Sequence, residues 1–99
     1  MQFLYILSLN KPYRDINNWT AEIENAQQDH FNYLKALHES KVMKHVGRTD
    51  VDFADDALHG YAIFEAESES AAQQIMNNDP AIKAGLMSGR LLPYIIVFN

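Results

Sequence analysis

The fold class this sequence predicts is α+β, one antiparallel sheet with both main helices on one face, and three observations predict it. The chain opens on an aromatic and aliphatic run, FLYILSL, suited to a strand. A long stretch from Thr20 to Glu39 places apolar residues at helical spacing. The remaining chain alternates short apolar runs with one further amphipathic segment, so that the order is strand, helix, strand, strand, helix, strand. That order is the split βαβ pattern of a ferredoxin-like domain.

Gln2–Leu9 reads as the first strand, followed by a polar loop that holds Pro12, Asn17 and Asn18. Trp19, Ile23, Ala26, His30, Leu34 and Leu37 then recur at spacings of four, three, four, four and three, which predicts a helix. Glu22 and Glu24 in its first turn complement the helix dipole. Lys41–Arg48 and Gly60–Ala66 read as the second and third strands, joined by the acidic loop TDVDFADDALH. Ser68 or Ser70 opens a second helix with Ala71, Ala72, Ile75 and Met76 on its apolar face. In IMNNDPAIKAGL, Asp79 before Pro80 is a preferred helix opening. The carboxylate accepts from a free N–H, and proline at the first helical position sacrifices no donor. Gly85 supplies the left-handed residue that closes this short turn, and Arg90–Phe98 reads as the last strand.

Ninety-nine residues, 47% hydrophobic and 21% charged, suit one folded domain spanning 1–99. A chain of this length buries about two thirds of its unfolded surface. A net charge of −5, with the eight Lys and Arg scattered, argues against a nucleic-acid partner, which needs a basic stripe. The absence of cysteine excludes disulfides, a thiolate nucleophile and cysteine-based metal sites, and fits a reducing cytoplasm. The opening MQFLYILSLNK has no basic leader, and its apolar run is too short for a bilayer, so neither a targeting nor a membrane segment is expected.

The sheet is expected to be apolar on both faces. The first strand carries Phe3, Tyr5, Leu7 and Leu9 on one side and Leu4 and Ile6 on the other. The last carries Leu91, Ile95 and Val97 against Leu92, Tyr94, Ile96 and Phe98. Strands apolar on both sides are normally covered on both. Two helices cover one face only, so a homodimer packed sheet on sheet is expected.

His30 occupies a core-facing position of the first helix, between Ala26 and Leu34. It is either a satisfied structural histidine or the lining of a cleft between helix and sheet, where an imidazole can give or take a proton. Spacing alone does not separate the two.

The chain resembles the YCII-like family of the dimeric α+β barrel group. The resemblance rests on FLYILSL, on HFNYLKALHES followed by a strand ending in Val46-Gly47, on GYAIFEAESESAAQQIM, and on NDPAIKAGLMSGRLLPY. It implies a dimeric α+β barrel, and a cleft in which the helix histidine and the Asp of the Asp-Pro pair meet as an active-site dyad. By position these are His30 and Asp79. Asp79 would then cap its helix with one oxygen and hold His30 with the other. The chain departs from the family pattern at Ser40 and Gly47-Arg48, where Gly and Gly-Pro are common, and at Ala81, where an aromatic often follows Asp-Pro. These departures imply a wider or more polar cleft.

Other candidates are weaker. Asp50, Asp52, Asp55 and Asp56 fail the calcium-loop pattern, because Asp55 stands at its glycine position and Tyr61 at its glutamate position. His38, His45 and His59 form no zinc motif with His30, so neither metal nor cofactor is called for. Tyr5, Ser8, Arg14, Tyr61 and Arg90 are candidate ligand contacts. Three readings follow: a dimeric acid–base enzyme acting on a small polar organic molecule, as in isomerisation or elimination; a non-catalytic ligand-binding or accessory dimer; and a structural dimer with a filled site.

Overall fold

The computed structural model describes residues 1–99. Its elements are β1 (Gln2–Leu9), α1 (Ala21–Glu39), β2 (Met43–Arg48), β3 (Gly60–Glu65), α2 (Glu69–Asn77), α3 (Pro80–Lys83) and β4 (Met87–Tyr94). Two short 3-10 turns, Lys11–Arg14 and Ile16–Asn18, link β1 to α1. The strands form one antiparallel sheet in the order β2-β3-β1-β4. This is the ferredoxin-like arrangement that the element order predicts.

Alternation along β1 decides which face the helices cover. Phe3, Tyr5 and Leu7 are buried, and opposite them β3 contributes Ala62 and Phe64. Met43, Leu34 and Ala72 complete this core from β2, α1 and α2. The opposite face carries Leu4 paired with Leu92 and Ile63, and Ile6 paired with Tyr61 and Arg90. A second, smaller cluster of Ile23, Ala81 and Leu86, with Trp19 and Tyr13 against it, locks α3 to the start of α1.

Helix limits follow their caps. Thr20 Oγ1 accepts from Ile23 N–H at 3.2 Å to open α1, and Ser68 Oγ accepts from Ala71 N–H at 3.1 Å to open α2. Trp19, counted in the helical spacing, lies before the cap, and its indole N–H instead donates to the Tyr13 carbonyl at 2.7 Å. The second strand begins at Met43 rather than Lys41, because Lys41 adopts φ 68° and turns the chain out of α1. That left-handed position usually takes glycine, and nothing in the residue type announces it here.

The last strand is shifted towards the N-terminus of the expected Arg90–Phe98. Met87 pairs with Leu9 and Tyr94 with Gln2, so β1 offers no partner beyond Tyr94 and residues 95–99 leave the sheet. Gly89 belongs to the strand for a steric reason. A Cβ there would sit 2.8 Å from both Met76 Sδ and Tyr5 Cε1, so glycine lets the Tyr5 ring lie across β4. Ile95, Val97 and Phe98 in the tail are 75–93% exposed. No helix is long and apolar enough to cross a membrane.

Candidate active site

His30 faces the sheet from the middle of α1, and Asp79 opens α3 beside it, held there by the Ile23–Ala81–Leu86 cluster. His30 Nδ1 and Asp79 Oδ1 are 2.7 Å apart, with His30 7% exposed and Asp79 fully buried. The same Oδ1 accepts from the Ala81 backbone N–H at 2.9 Å, and Oδ2 accepts from the Tyr5 hydroxyl at 2.9 Å. The division of labour at Asp79 therefore differs from the expected one. A single oxygen both caps α3 and holds the histidine, and the other is committed to Tyr5.

This arrangement satisfies a group that would otherwise be costly. A buried carboxylate without partners is strongly disfavoured, and three donors from β1, α1 and α3 converge on this one. With the Ala81 amide and Tyr5 hydroxyl both donating, Asp79 acts as acceptor only, and His30 Nδ1 donates. The neutral ring then carries its lone pair on Nε2.

Tyr5, a candidate ligand contact by sequence, is the third side chain of this cluster. Its hydroxyl is buried against Asp79, and burial, then the Asp79 charge and hydrogen bond, push its ionisation well above the ordinary phenol value of 10.0. Burial and Asp79 raise that of Tyr33 as well, whose hydroxyl donates to the Ile75 carbonyl at 2.7 Å. A sequence signal did exist. A tyrosine at a core-facing strand position, flanked by Phe3 and Leu7, needs a partner for its hydroxyl. The sign of the resulting pH effect is fixed. Below about pH 10 neither folded nor unfolded chain ionises Tyr5, and above it only the unfolded chain does, so stability falls as pH rises. Urea unfolding between about pH 9 and 11 is expected to show that fall, and Tyr5→Phe to reduce its slope; an equal slope in the variant would place the alkaline sensitivity elsewhere.

A cleft of about 650 Å³ opens beside His30, between α1, the β2–β3 side of the sheet and the loop from Thr49 to His59. His30 Nε2 has no protein partner and is not among the buried unpaired atoms, so it is the ring nitrogen that meets the cleft. Phe53 from the loop packs edge-on against Trp19 at 5.3 Å between ring centroids, and Arg14 ion-pairs with Asp56, which together fasten the loop over the cleft. Gln27, one turn before His30, lines the cleft, and its side-chain oxygen is buried without a protein partner.

The remaining sequence candidates fall outside this constellation. Ser8 pairs with Ser88 and Arg90 with Ile6 on the uncovered sheet face. Tyr61 borders the cleft, but its register sets it opposite Ile6 on that same face. Arg14 is engaged with Asp56. No group of three His, Cys, Asp or Glu side chains is gathered in a way that would hold a metal ion.

The YCII-related domain model matches residues 3–93, which takes in every strand and helix of this site. The chain belongs to the YCII-related family. No curated protein matches it. Among solved structures, it is similar to the 5-chloro-2-hydroxyhydroquinone dehydrochlorinase from Burkholderia phenoliruptrix, in complex with 2,5-dihydroxybenzoquinone. The likeness has a TM-score of 0.70 at 23% identity and covers 96% of this chain and 94% of that one. For this YCII-related chain it establishes the shared fold.

Proposed function

We propose that this protein is a small dimeric enzyme of the cytoplasm that uses His30 as general base and acid on a small polar organic molecule. The observation that carries the reading is the division of the His30 ring: Nδ1 is committed to a buried carboxylate and Nε2 stands at an open cleft. A base so oriented takes a proton from an acidic C–H or O–H of the substrate onto Nε2. The imidazolium formed keeps its Nδ1–H on Asp79, whose charge stabilises it. In an elimination the freed electron pair expels a leaving group; in an isomerisation the proton returns to another carbon. Positioned bases of this kind contribute about 10²–10⁴-fold in rate. The dehydrochlorinase of similar fold is named for an elimination, which agrees with this class of chemistry.

The test is turnover in D2O with a panel of cyclic enols, hydroxyquinones and carbonyl compounds bearing a β leaving group, followed by NMR. Deuterium uptake or elimination that requires His30 is expected. Saturable binding with no such change would favour the alternative, a ligand-binding or accessory module in which the dyad pins helix to sheet.

The dimer in this reading is built on the uncovered face. Leu4, Ile6, Ile63 and Leu92 lie there, and the apolar tail residues extend from its edge. A second copy laid sheet on sheet about 10 Å away would cover them. Sedimentation is expected to give twice the 11.3 kDa chain mass, and a monomer at all micromolar concentrations would contradict this.

A further inference from the structure

The cleft has a charge opposite to that of the protein around it. The chain holds 13 acidic residues against eight Lys and Arg, yet no Asp or Glu lines the cleft, while Lys35 and Arg48 do, with three of the four histidines. The acidic loop above it achieves this by orientation. Asp56 turns out to Arg14, and Asp55 Oδ1 accepts from the Ala57 N–H at 2.8 Å, while Phe53 and Leu58 turn in. Neither Lys35 nor Arg48 has a carboxylate within 4.0 Å, unlike Arg14 and Lys44.

The two cations come from different elements. Lys35 is five residues past His30 on α1, about 7.5 Å along its axis and on the outer side of the cleft face. Arg48 pairs with Gly60, which pairs with Leu7, so it lies two strands from β1, a lateral distance of about 10 Å. The same cleft is also lined by three aromatic side chains, Trp19, Phe31 and Phe53. Phe31 is 59% exposed beside the catalytic candidate, an exposure that core packing does not explain.

We infer that the cleft selects an organic anion with a flat apolar ring, its carboxylate or ring oxyanion held by Arg48 and Lys35 and its ring against the aromatic wall. The guanidinium supplies a planar fork for two oxygens and the ammonium a second positive charge on the cleft wall. This deepens the acid–base reading, and depends on it only for the orientation of the ligand towards Nε2; selective binding needs no turnover.

Trp19 is the only tryptophan and lies in the cleft wall, so its fluorescence reports occupancy in the full chain. The probes are benzoate, the isosteric neutral benzamide, and acetate, which has the charge without the ring. At low ionic strength, benzoate is expected to bind at least about tenfold more tightly than either, with the preference weakening as salt is added. Arg48→Gln and Lys35→Gln are each expected to weaken benzoate about three- to tenfold and leave benzamide unchanged, while Lys83→Gln, outside the cleft, changes neither. Benzamide binding as tightly as benzoate, Arg48→Gln leaving their ratio intact, or no saturable quenching by benzoate up to about 10 mM would each overturn the inference. The benzoate preference is also expected to survive His30→Gln. Its survival alongside a failure to find turnover would separate the two proposals, and His30-dependent turnover of a neutral substrate would separate them in the other direction.

Discussion

Asp79→Ala is expected to lower stability by about 3–5 kcal/mol, because three buried donors lose their acceptor at about 1–3 kcal/mol each. The size follows from what is left behind. The Tyr5 hydroxyl, His30 Nδ1 and the Ala81 amide all lose their acceptor, and Asp79 is fully buried, so water does not replace it without opening the core. Against a total stability of about 5–15 kcal/mol the loss is large. For a domain of this size it corresponds to a fall in Tm of about 15–30 °C. Adding Tyr5→Phe is expected to recover part of it, because the variant then buries one fewer unpaired hydroxyl, and the two substitutions will not add. Thermal and urea unfolding of the two single variants and the double variant measure this directly. A loss below about 1 kcal/mol in Asp79→Ala would mean that the three donors find other partners.

His30→Gln is expected to do the reverse, sparing the fold and abolishing chemistry. A glutamine amide at this position can still donate to Asp79, so the stability change should stay below about 1.5–3 kcal/mol, the worth of a hydrogen bond to a charged group. What it lacks is a basic nitrogen at the cleft. Turnover of any substrate found by the D2O panel is expected to drop about 10²–10⁴-fold, with ligand affinity read at Trp19 nearly unchanged. A split of that kind marks loss of transition-state stabilisation rather than of binding. A variant that loses affinity and rate together would place His30 among the groups that merely hold the ligand.

Much of the architecture was legible because local signals and burial agree. The alternation of Phe3, Tyr5 and Leu7, the cap at Thr20 and the Asp-Pro opening of α3 each state locally what the tertiary structure uses. Strand limits were less legible, since they depend on pairing. Residues 95–98 look like strand by composition, but β1 ends before it can pair with them, and Lys41 hides a left-handed turn inside an apparent strand start. At the site, helical spacing singled out His30, whereas its partner came only through resemblance to the family, because 49 residues separate His30 from Asp79. The sharing of Oδ1 and the commitment of Oδ2 to Tyr5 depend on how three elements meet, which no local pattern records. The same is true of the cleft cations. Lys35 on α1 and Arg48 at the end of β2 carry no local signal that marks them, and only the sheet and the loop bring them to one cavity.

The central claim is that Asp79 fixes the tautomer of His30 so that Nε2 offers its lone pair to the cleft. Nitrogen-15 NMR of the histidine rings tests it most directly, in the parent and in Asp79→Asn, at a pH where the His30 ring is neutral. The parent is predicted to show His30 protonated on Nδ1, with that proton slow to exchange, and the variant to shift towards Nε2–H. A parent ring protonated on Nε2, or a tautomer unaffected by Asp79→Asn, would contradict the account.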